Sequence, residues 1–243
     1  MRFQLISCEV LFREMCDAVA RSPHQVDVQF LSKGLHDLGG KAMRLELQKR
    51  IDGAGPCDAV LMGYALCGNG LHGLTARNAP LVAPRAHDCI ALLMGSRESY
   101  AQYFEENPGT YFRSTGWLER GKGLQQLSMG KNPVGTTLSE LIERYGEENG
   151  RYLFDEFTRY QQHYRQLTYI ESGLEPDASF ERQARGEAEE KGWAFSKLRG
   201  SLHWLRQLVN GDWPEADFLV VPPGGTMVAS FDERIIRIEE NTA

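Results

Sequence analysis

Residues 58–98 have the sequence DAVLMGYALCGNGLHGLTARNAPLVAPRAHDCIALLMGSRE, and this stretch decides the fold. It contains two apolar runs of strand length, Ala59–Met62 and Pro80–Ala83, and each leads into a short polar or glycine-rich turn. The first turn holds Cys67, the second holds Cys89, and a helical pattern is predicted after each. Strand, turn with a reactive side chain, then helix is the order in which open α/β sheets build sites at the carboxyl ends of their strands.

The N-terminus repeats this order. Phe3–Ile6 is a strand-length apolar run, Cys8 follows it, and a helical pattern begins at Glu9. Cys8, Cys67 and Cys89 therefore occupy equivalent predicted positions.

Strand and helix patterns alternate through the first half of the chain. The alternation predicts an α/β fold with an open, mostly parallel sheet and helices on both faces. The predicted strands are Arg2–Ile6, Val26–Leu31, Asp58–Leu66 and Pro80–Pro84, and the predicted helices are Glu9–Arg21, Lys41–Ile51 and one from Cys89 to Asn107.

The second half repeats the α/β pattern after a helical connection. We predict a lobe over residues 1–110 that carries the cysteines, a connection over 111–165 and a lobe over 166–243. The lobes are two Rossmann-like units or parts of one continuous domain. The predicted segments are an edge strand or surface segment at Thr110–Leu118, a loop or lid at Gly121–Gly135, two helices in Leu138–Arg165 broken near Gly150, strands Leu167–Ile170 and Phe218–Val221, and helices Ala178–Trp193 and Leu202–Leu208.

Composition limits the class of protein. The 243 residues carry a formal net charge of -6 and a pI near 5.6, whereas a general nucleic-acid binder normally has a basic face. No apolar run reaches the roughly 18 residues that suggest a transmembrane helix, and the N-terminus lacks the pattern of a secretory signal. We therefore expect a cytoplasmic protein that binds neither nucleic acid nor membrane.

The five cysteines are an odd number, and all lie in the first 89 residues. In a reducing compartment this favours metal or redox chemistry, or buried thiols, over disulfides. Helix N-termini beside Cys8, Cys67 and Cys89 would favour the thiolate, which is the form that binds metal. Three thiolates leave one coordination position open, for water or substrate on zinc or for substrate on an iron of an iron–sulfur cluster.

Residues beside the last cysteine are candidates for catalysis and substrate binding. His87 is a candidate fourth ligand or proton donor. Asp88 is a second candidate catalytic residue and is also placed to cap the following helix. Arg85 could hold an anionic substrate group through its two-pronged guanidinium.

Residues beside Cys67 are candidates for the same pocket. Asn69 and Gly70 lie in a Gly-Asn-Gly turn where backbone amides can approach a ligand closely, and His72 follows that turn. The Pro222–Thr226 turn could hold a phosphate or carboxylate on its amides, although it matches no nucleotide-binding motif.

Each of these features also has a purely structural interpretation. Free cysteine is among the most buried residue types and often behaves as a small hydrophobe. We interpret Cys16 and Cys57 in this way, and the Gly-Asn-Gly sequence can simply form a tight turn.

Three segments resemble the family DUF1638, a bacterial and archaeal domain of unknown function. They are Ile6-Ser7-Cys8-Glu9, Gly63-Tyr64-Ala65-Leu66-Cys67-Gly68-Asn69-Gly70 and Pro84-Arg85-Ala86-His87-Asp88-Cys89. The resemblance supplies no reaction. Members often occur in anaerobes, some near genes for corrinoid-dependent methyltransferases, which implies one-carbon metabolism and a methyltransferase or corrinoid protein as partner.

The sequence leaves three functions open. The first is a metal- or iron–sulfur-binding enzyme that acts on a small anionic molecule at the open position. The second is a metal-free accessory protein that docks a methyltransferase or corrinoid protein. The third is a transferase that uses Cys8 or Cys89 as its nucleophile together with His87.

Overall fold

A computed structural model of the chain describes residues 1–120, 137–158 and 163–240. It has the expected mixed α/β architecture, with two sheets of mainly parallel strands and a small antiparallel sheet. The described strands are β1 Arg2–Cys8, β2 Gln25–Leu31, β3 Ala59–Gly63, β4 Leu74–Thr75, β5 Leu81–Pro84, β6 Thr110–Ser114, β7 Gln166–Glu171, β8 Ala194–Arg199, β9 Phe218–Val221, β10 Thr226–Ala229 and β11 Ile236–Ile238. The described α-helices are α1 Phe12–Arg21, α2 Gly40–Asp52, α3 Cys89–Met94, α4 Arg97–Glu106, α5 Thr115–Glu119, α6 Leu138–Tyr145, α7 Glu147–Thr158, α8 Ser179–Glu190 and α9 His203–Asn210.

The first sheet has the strand order β2-β1-β3-β5-β9. Its first four strands are parallel, and β9 runs antiparallel to β5. Neighbouring side chains on a strand point to opposite faces, so Leu5 packs with Met15 of α1 and Trp204 of α9, whereas Ile6 packs with Leu47 of α2. The predicted arrangement of helices on both faces is therefore confirmed.

The second sheet has the order β6-β7-β8 and is parallel. Helix α8 covers one face, where Ala184 and Ala188 pack with Leu167 and Tyr169. The strand β8 was not predicted, because its partly exposed sequence lacks a continuous apolar run.

The chain returns to the first sheet near its end. Strand β9 pairs with β5, and β10 then forms the small antiparallel sheet with β4 and β11. The predicted boundary at residue 166 therefore does not coincide with a division between sheets, since the last strands belong beside the first ones.

Glycine decides where two predicted helices end. The helix predicted from Cys89 to Asn107 is two helices, because Gly95 adopts a left-handed φ of 76° and the side chain of Ser96 caps α4. The predicted break near Gly150 is also wrong. The chain turns at Gly146 instead, and Gly150 lies inside α7, where an added Cβ would approach the Ile142 Cα to 2.6 Å.

The segment Thr110–Leu118 combines an edge strand, β6, with the short helix α5. The predicted loop or lid at Gly121–Gly135 lies outside the described residues. Among the helices of the described chain, none is long and apolar enough to span a bilayer.

Candidate three-cysteine site

The three cysteines lie at the carboxyl edge of the first sheet. Cys8 is the last residue of β1, Cys67 lies in the turn after β3, and Cys89 is the first residue of α3, which follows β5. Because β1, β3 and β5 are neighbouring parallel strands, their carboxyl ends share one edge of the sheet. The topology thus brings together residues that are up to 81 positions apart.

The thiols also influence one another electrostatically. Cys8 raises the pKa of Cys67, and both Cys67 and Cys8 raise the pKa of Cys89. In each case burial is the larger cause. Cys67 and Cys89 therefore each lie near enough to a neighbouring cysteine for its charge to affect their ionisation.

Burial keeps these thiols protonated in the metal-free protein. It raises the pKa of Cys8 and of Cys67 to about 12, and it raises the pKa of Cys89 well above its ordinary value. The prediction that helix N-termini favour the thiolate is therefore wrong for the chain on its own, because the cost of desolvating the charge is larger.

Nevertheless, N–H groups lie near all three sulfurs and favour the charged form. The backbone N–H of Val10 lowers the pKa of the Cys8 thiol, and the backbone N–H of Cys89 lowers the pKa of the Cys67 thiol. The indole of Trp117 does so at Cys89. Trp117 Nε1 is buried without a fully formed hydrogen bond, so its proximity to Cys89 is a contact of incomplete geometry.

Polar and aromatic side chains that were not predicted surround the thiols. His36 Nε2 lies 3.7 Å from the Cys8 Sγ, and its ring packs against Tyr64 with the centroids 6.3 Å apart. The buried hydroxyl of Tyr64 has no hydrogen-bond partner. The Nζ atom of Lys33 lies 4.6 Å from the centre of the Trp117 ring and lowers the pKa of Cys8.

No local sequence pattern indicates these neighbours. His36 and Lys33 lie in a 3₁₀ helix after β2, and Trp117 lies in α5 beside the second sheet. Their approach to the cysteines depends on how distant segments pack. The polar sequence around His36 is typical of a solvated side chain, whereas the structure places its ring in contact with Cys8.

His87 and Asp88 have different roles in the structure. The His87 side chain is exposed, and its backbone carbonyl accepts the Cys67 N–H at 2.9 Å. Asp88 caps α3 as predicted, because Oδ1 accepts from the N–H groups of Ile90 and Ala91. Its Oδ2 accepts from the Tyr100 hydroxyl at 3.0 Å.

Arg85 bonds to the protein backbone. Its Nε donates to the Glu215 carbonyl at 2.9 Å, and its Nη1 donates to the carbonyls of Arg234, at 3.0 Å, and Ile236. The side chain is buried, with 5% of the residue exposed. These bonds make Arg85 a clamp on the C-terminal segment and correct the prediction that it anchors a substrate.

The turn after β3 is tighter than predicted. Cys67, Gly68 and Asn69 have left-handed φ values of 46°, 64° and 67°, and three such residues in succession cannot continue into a right-handed helix. The helix predicted after Cys67 is therefore wrong.

The remaining predicted substrate residues support the fold around this turn. Gly70 is buried against Met43, whose Sδ would lie 2.4 Å from an added Cβ. Asn69 is exposed. The exposed His72 accepts the Ala229 N–H on Nδ1 at 3.1 Å, which ties it to β10 and not to the thiols.

The Pro222–Thr226 turn uses its amides internally. The Gly224 N–H donates to the Ala76 carbonyl at 3.0 Å, and the Gly225 N–H donates to the Pro222 carbonyl at 2.9 Å. The hypothesis that these amides hold an anion is therefore wrong.

Within the part of the chain that the structure describes, no three or more His, Cys, Asp or Glu side chains form a group that could hold a metal ion.

The other two cysteines differ in exposure. Cys16 is exposed on α1, contrary to the buried role predicted for it, and Cys57 is partly buried against the core.

Comparison with curated proteins and with solved structures found no match. A family model described as "Protein of unknown function (DUF1638)" matches residues 30–209. That range includes Cys67 and Cys89, whereas Cys8 precedes it. It spans well over half of the 243 residues, so the chain belongs to the DUF1638 family.

Proposed function

We propose that the protein binds an iron–sulfur cluster, or alternatively zinc, through Cys8, Cys67 and Cys89, and that it acts as an enzyme on a small molecule at the position left open. The observation that supports this proposal is the location of all three cysteines at one edge of the sheet, each with an N–H group that lowers the pKa of its thiol. Hydrogen bonds to sulfur are a common feature of cluster sites.

Metal binding would resolve the main electrostatic conflict of the site. Burial opposes ionisation of the thiols, whereas a bound metal deprotonates a coordinating thiol outright. The N–H groups then find charged acceptors, and the cation of Lys33 lies near Cys8 to offset part of the added negative charge.

The choice of a cluster over a single ion rests on two buried donors. The Tyr64 hydroxyl and the Trp117 N–H lack partners of good geometry, and buried polar groups rarely stay unsatisfied. Bridging sulfides of a cluster would accept hydrogen bonds beside the thiolates. A cluster of several irons is also wider than one ion, so its thiolates need not meet at one metal atom.

The group best placed to act beside the cluster is His36. It contacts Cys8, whereas the side chain of His87 is exposed. We therefore assign to His36 the role of fourth ligand or proton donor that the sequence suggested for His87. Lys33 takes the place of Arg85 as the cation that an anionic substrate group would face.

A cysteine nucleophile is less compatible with the geometry. Nucleophilic cysteines need a depressed pKa, whereas burial raises the pKa of Cys8 to about 12 and that of Cys89 well above its ordinary value. The methyltransferase or corrinoid partner implied by the family resemblance stays a prediction.

The test is metal analysis after anaerobic purification and reconstitution with iron and sulfide. Iron and acid-labile sulfide in equal amounts, with the visible absorption of a cluster, would support the proposal; stoichiometric zinc without sulfide would support the alternative metal. Cys8→Ser, Cys67→Ser and Cys89→Ser should each lose most of the metal.

The chain offers matched controls in Cys16→Ser and Cys57→Ser, which should keep the metal. A folded wild-type chain that takes up neither metal under these conditions would refute the proposal. So would metal content that falls equally in the control variants.

A further inference from the structure

A cleft of about 370 Å³ opens beside Cys89. One wall comes from the start of α3 and from α4, and the other comes from β6 at the edge of the second sheet. Cys89 and Trp117 both line it, so the cleft borders the three-cysteine site. Its volume falls within the range of small-molecule sites.

Aromatic rings dominate the lining. Tyr111 and Tyr164 meet edge to face with their centroids 5.1 Å apart, and Tyr100 and Phe104 lie 6.0 Å apart on α4. Phe104 is 49% exposed and lines the cleft. The aromatic residues of the lining are Tyr100, Phe104, Tyr111, Phe112, Trp117 and Tyr164.

The charged groups of this lining are already bonded within the protein. The carboxylate of Asp88 accepts three hydrogen bonds, two from the backbone of α3 and one from Tyr100. Arg113 forms a two-pronged pair with Glu187 at 2.8 Å for both bonds. A ligand in the cleft would therefore meet ring faces and edges more than available charge.

From this lining we infer that the cleft binds a small planar aromatic molecule, held by stacking and edge-to-face contacts with the rings. Aromatic pairs prefer these geometries and gain from them beyond the area they bury. The binding of such a molecule in the cleft is independent of the proposed function. Its role as the substrate of the cysteine site rests on that function.

Calorimetric titration of the reduced, metal-free chain tests the inference. The probes are naphthol and its saturated counterpart decahydronaphthol, which share a skeleton and a hydroxyl but differ in planarity and aromaticity. We expect naphthol to bind more tightly by at least tenfold. Phe104→Leu and Tyr164→Leu should each weaken naphthol binding by roughly two- to tenfold, the loss of one aromatic contact.

Tyr152→Leu is the matched control, because Tyr152 is 62% exposed on α7 and does not line the cleft. Phe104 is half exposed, so Phe104→Leu should fold even if Tyr164→Leu does not; a thermal unfolding curve for each variant checks this. Equal affinity for the two probes, no binding of naphthol, or equal effects of Phe104→Leu and Tyr152→Leu would overturn the inference. Because the titration uses metal-free protein, a failed metal analysis leaves its result intact.

Discussion

Alkylation of single cysteines tests the electrostatics of the site without any assumption about metal. The comparison is between Cys8, which is 3% exposed, and Cys16, which is exposed on α1. Iodoacetamide reacts with the thiolate, so the alkylation rate follows the thiolate fraction. In the folded, reduced, metal-free protein, iodoacetamide should therefore modify Cys16 long before Cys8.

The magnitude follows from the pKa of Cys8. At pH 8, a thiol with a pKa of about 12 is about one part in ten thousand thiolate, whereas a thiol at the ordinary value of 9.0 is about one part in ten. The expected ratio of rates is about a thousandfold before accessibility is considered. Burial also raises the pKa of Cys16, which reduces the ratio.

The assay is a time course followed by tryptic mapping, since cleavage after Arg13 places the two cysteines in different peptides. Between pH 7 and pH 10 the alkylation rate of Cys8 should rise about tenfold with each pH unit, because the pKa of its thiol lies above this range. In urea the two sites should react at similar rates. Equal rates in the folded protein would show that Cys8 is neither buried nor suppressed, and the argument against a cysteine nucleophile would fail.

Two further predictions concern stability. Arg85→Met should lower the free energy of unfolding by about 3–5 kcal/mol, because three backbone carbonyls lose a buried charged donor. Urea unfolding measures this change. If Arg85→Met lowers the free energy of unfolding no more than Arg77→Met, a substitution at an exposed arginine, Arg85 is not a clamp. Glu14 is buried without a hydrogen-bond partner of good geometry, and burial raises the pKa of its carboxyl above the ordinary 4.5. The protonated carboxyl therefore contributes its full stability below pH 4.5, and this contribution is lost as pH rises through the pKa of the folded state. Glu14→Gln should therefore stabilise the protein at pH 7 by about 1–3 kcal/mol and much less at pH 4, with the exposed Glu148→Gln as control; equal effects at both pH values would contradict this.

Apolar runs made much of the first sheet predictable. Strands β3 and β5 are buried throughout and β1 is buried over most of its length, and the positions of Cys8 and Cys89 at strand ends follow from them. The pairing of β9 with β5 was not predictable, because it joins segments about 135 residues apart and depends on packing that no local pattern records. Likewise, no local signal distinguishes Arg85 as a clamp from Arg85 as a substrate anchor.

The incomplete prediction of the site has the same physical origin. Sequence position located the thiols, but their protonation depends on burial, which the helix N-terminus at Cys89 does not offset. His36 was missed because its position relative to Cys8 is set by the packing of the 3₁₀ helix after β2.

The position of Gly116 links the second sheet to the cysteines. An added Cβ at this residue would lie 1.7 Å from the Val10 carbonyl oxygen, so α5 packs directly on the segment after Cys8. This close approach carries Trp117 to Cys89, and β6, which precedes α5, forms the far wall of the aromatic cleft. The first sheet therefore carries the three cysteines, whereas the second places the indole of Trp117 beside Cys89 and forms one wall of the cleft. A side chain at residue 116 could not be accommodated unless α5 moved away from Val10, and that movement would draw Trp117 away from Cys89.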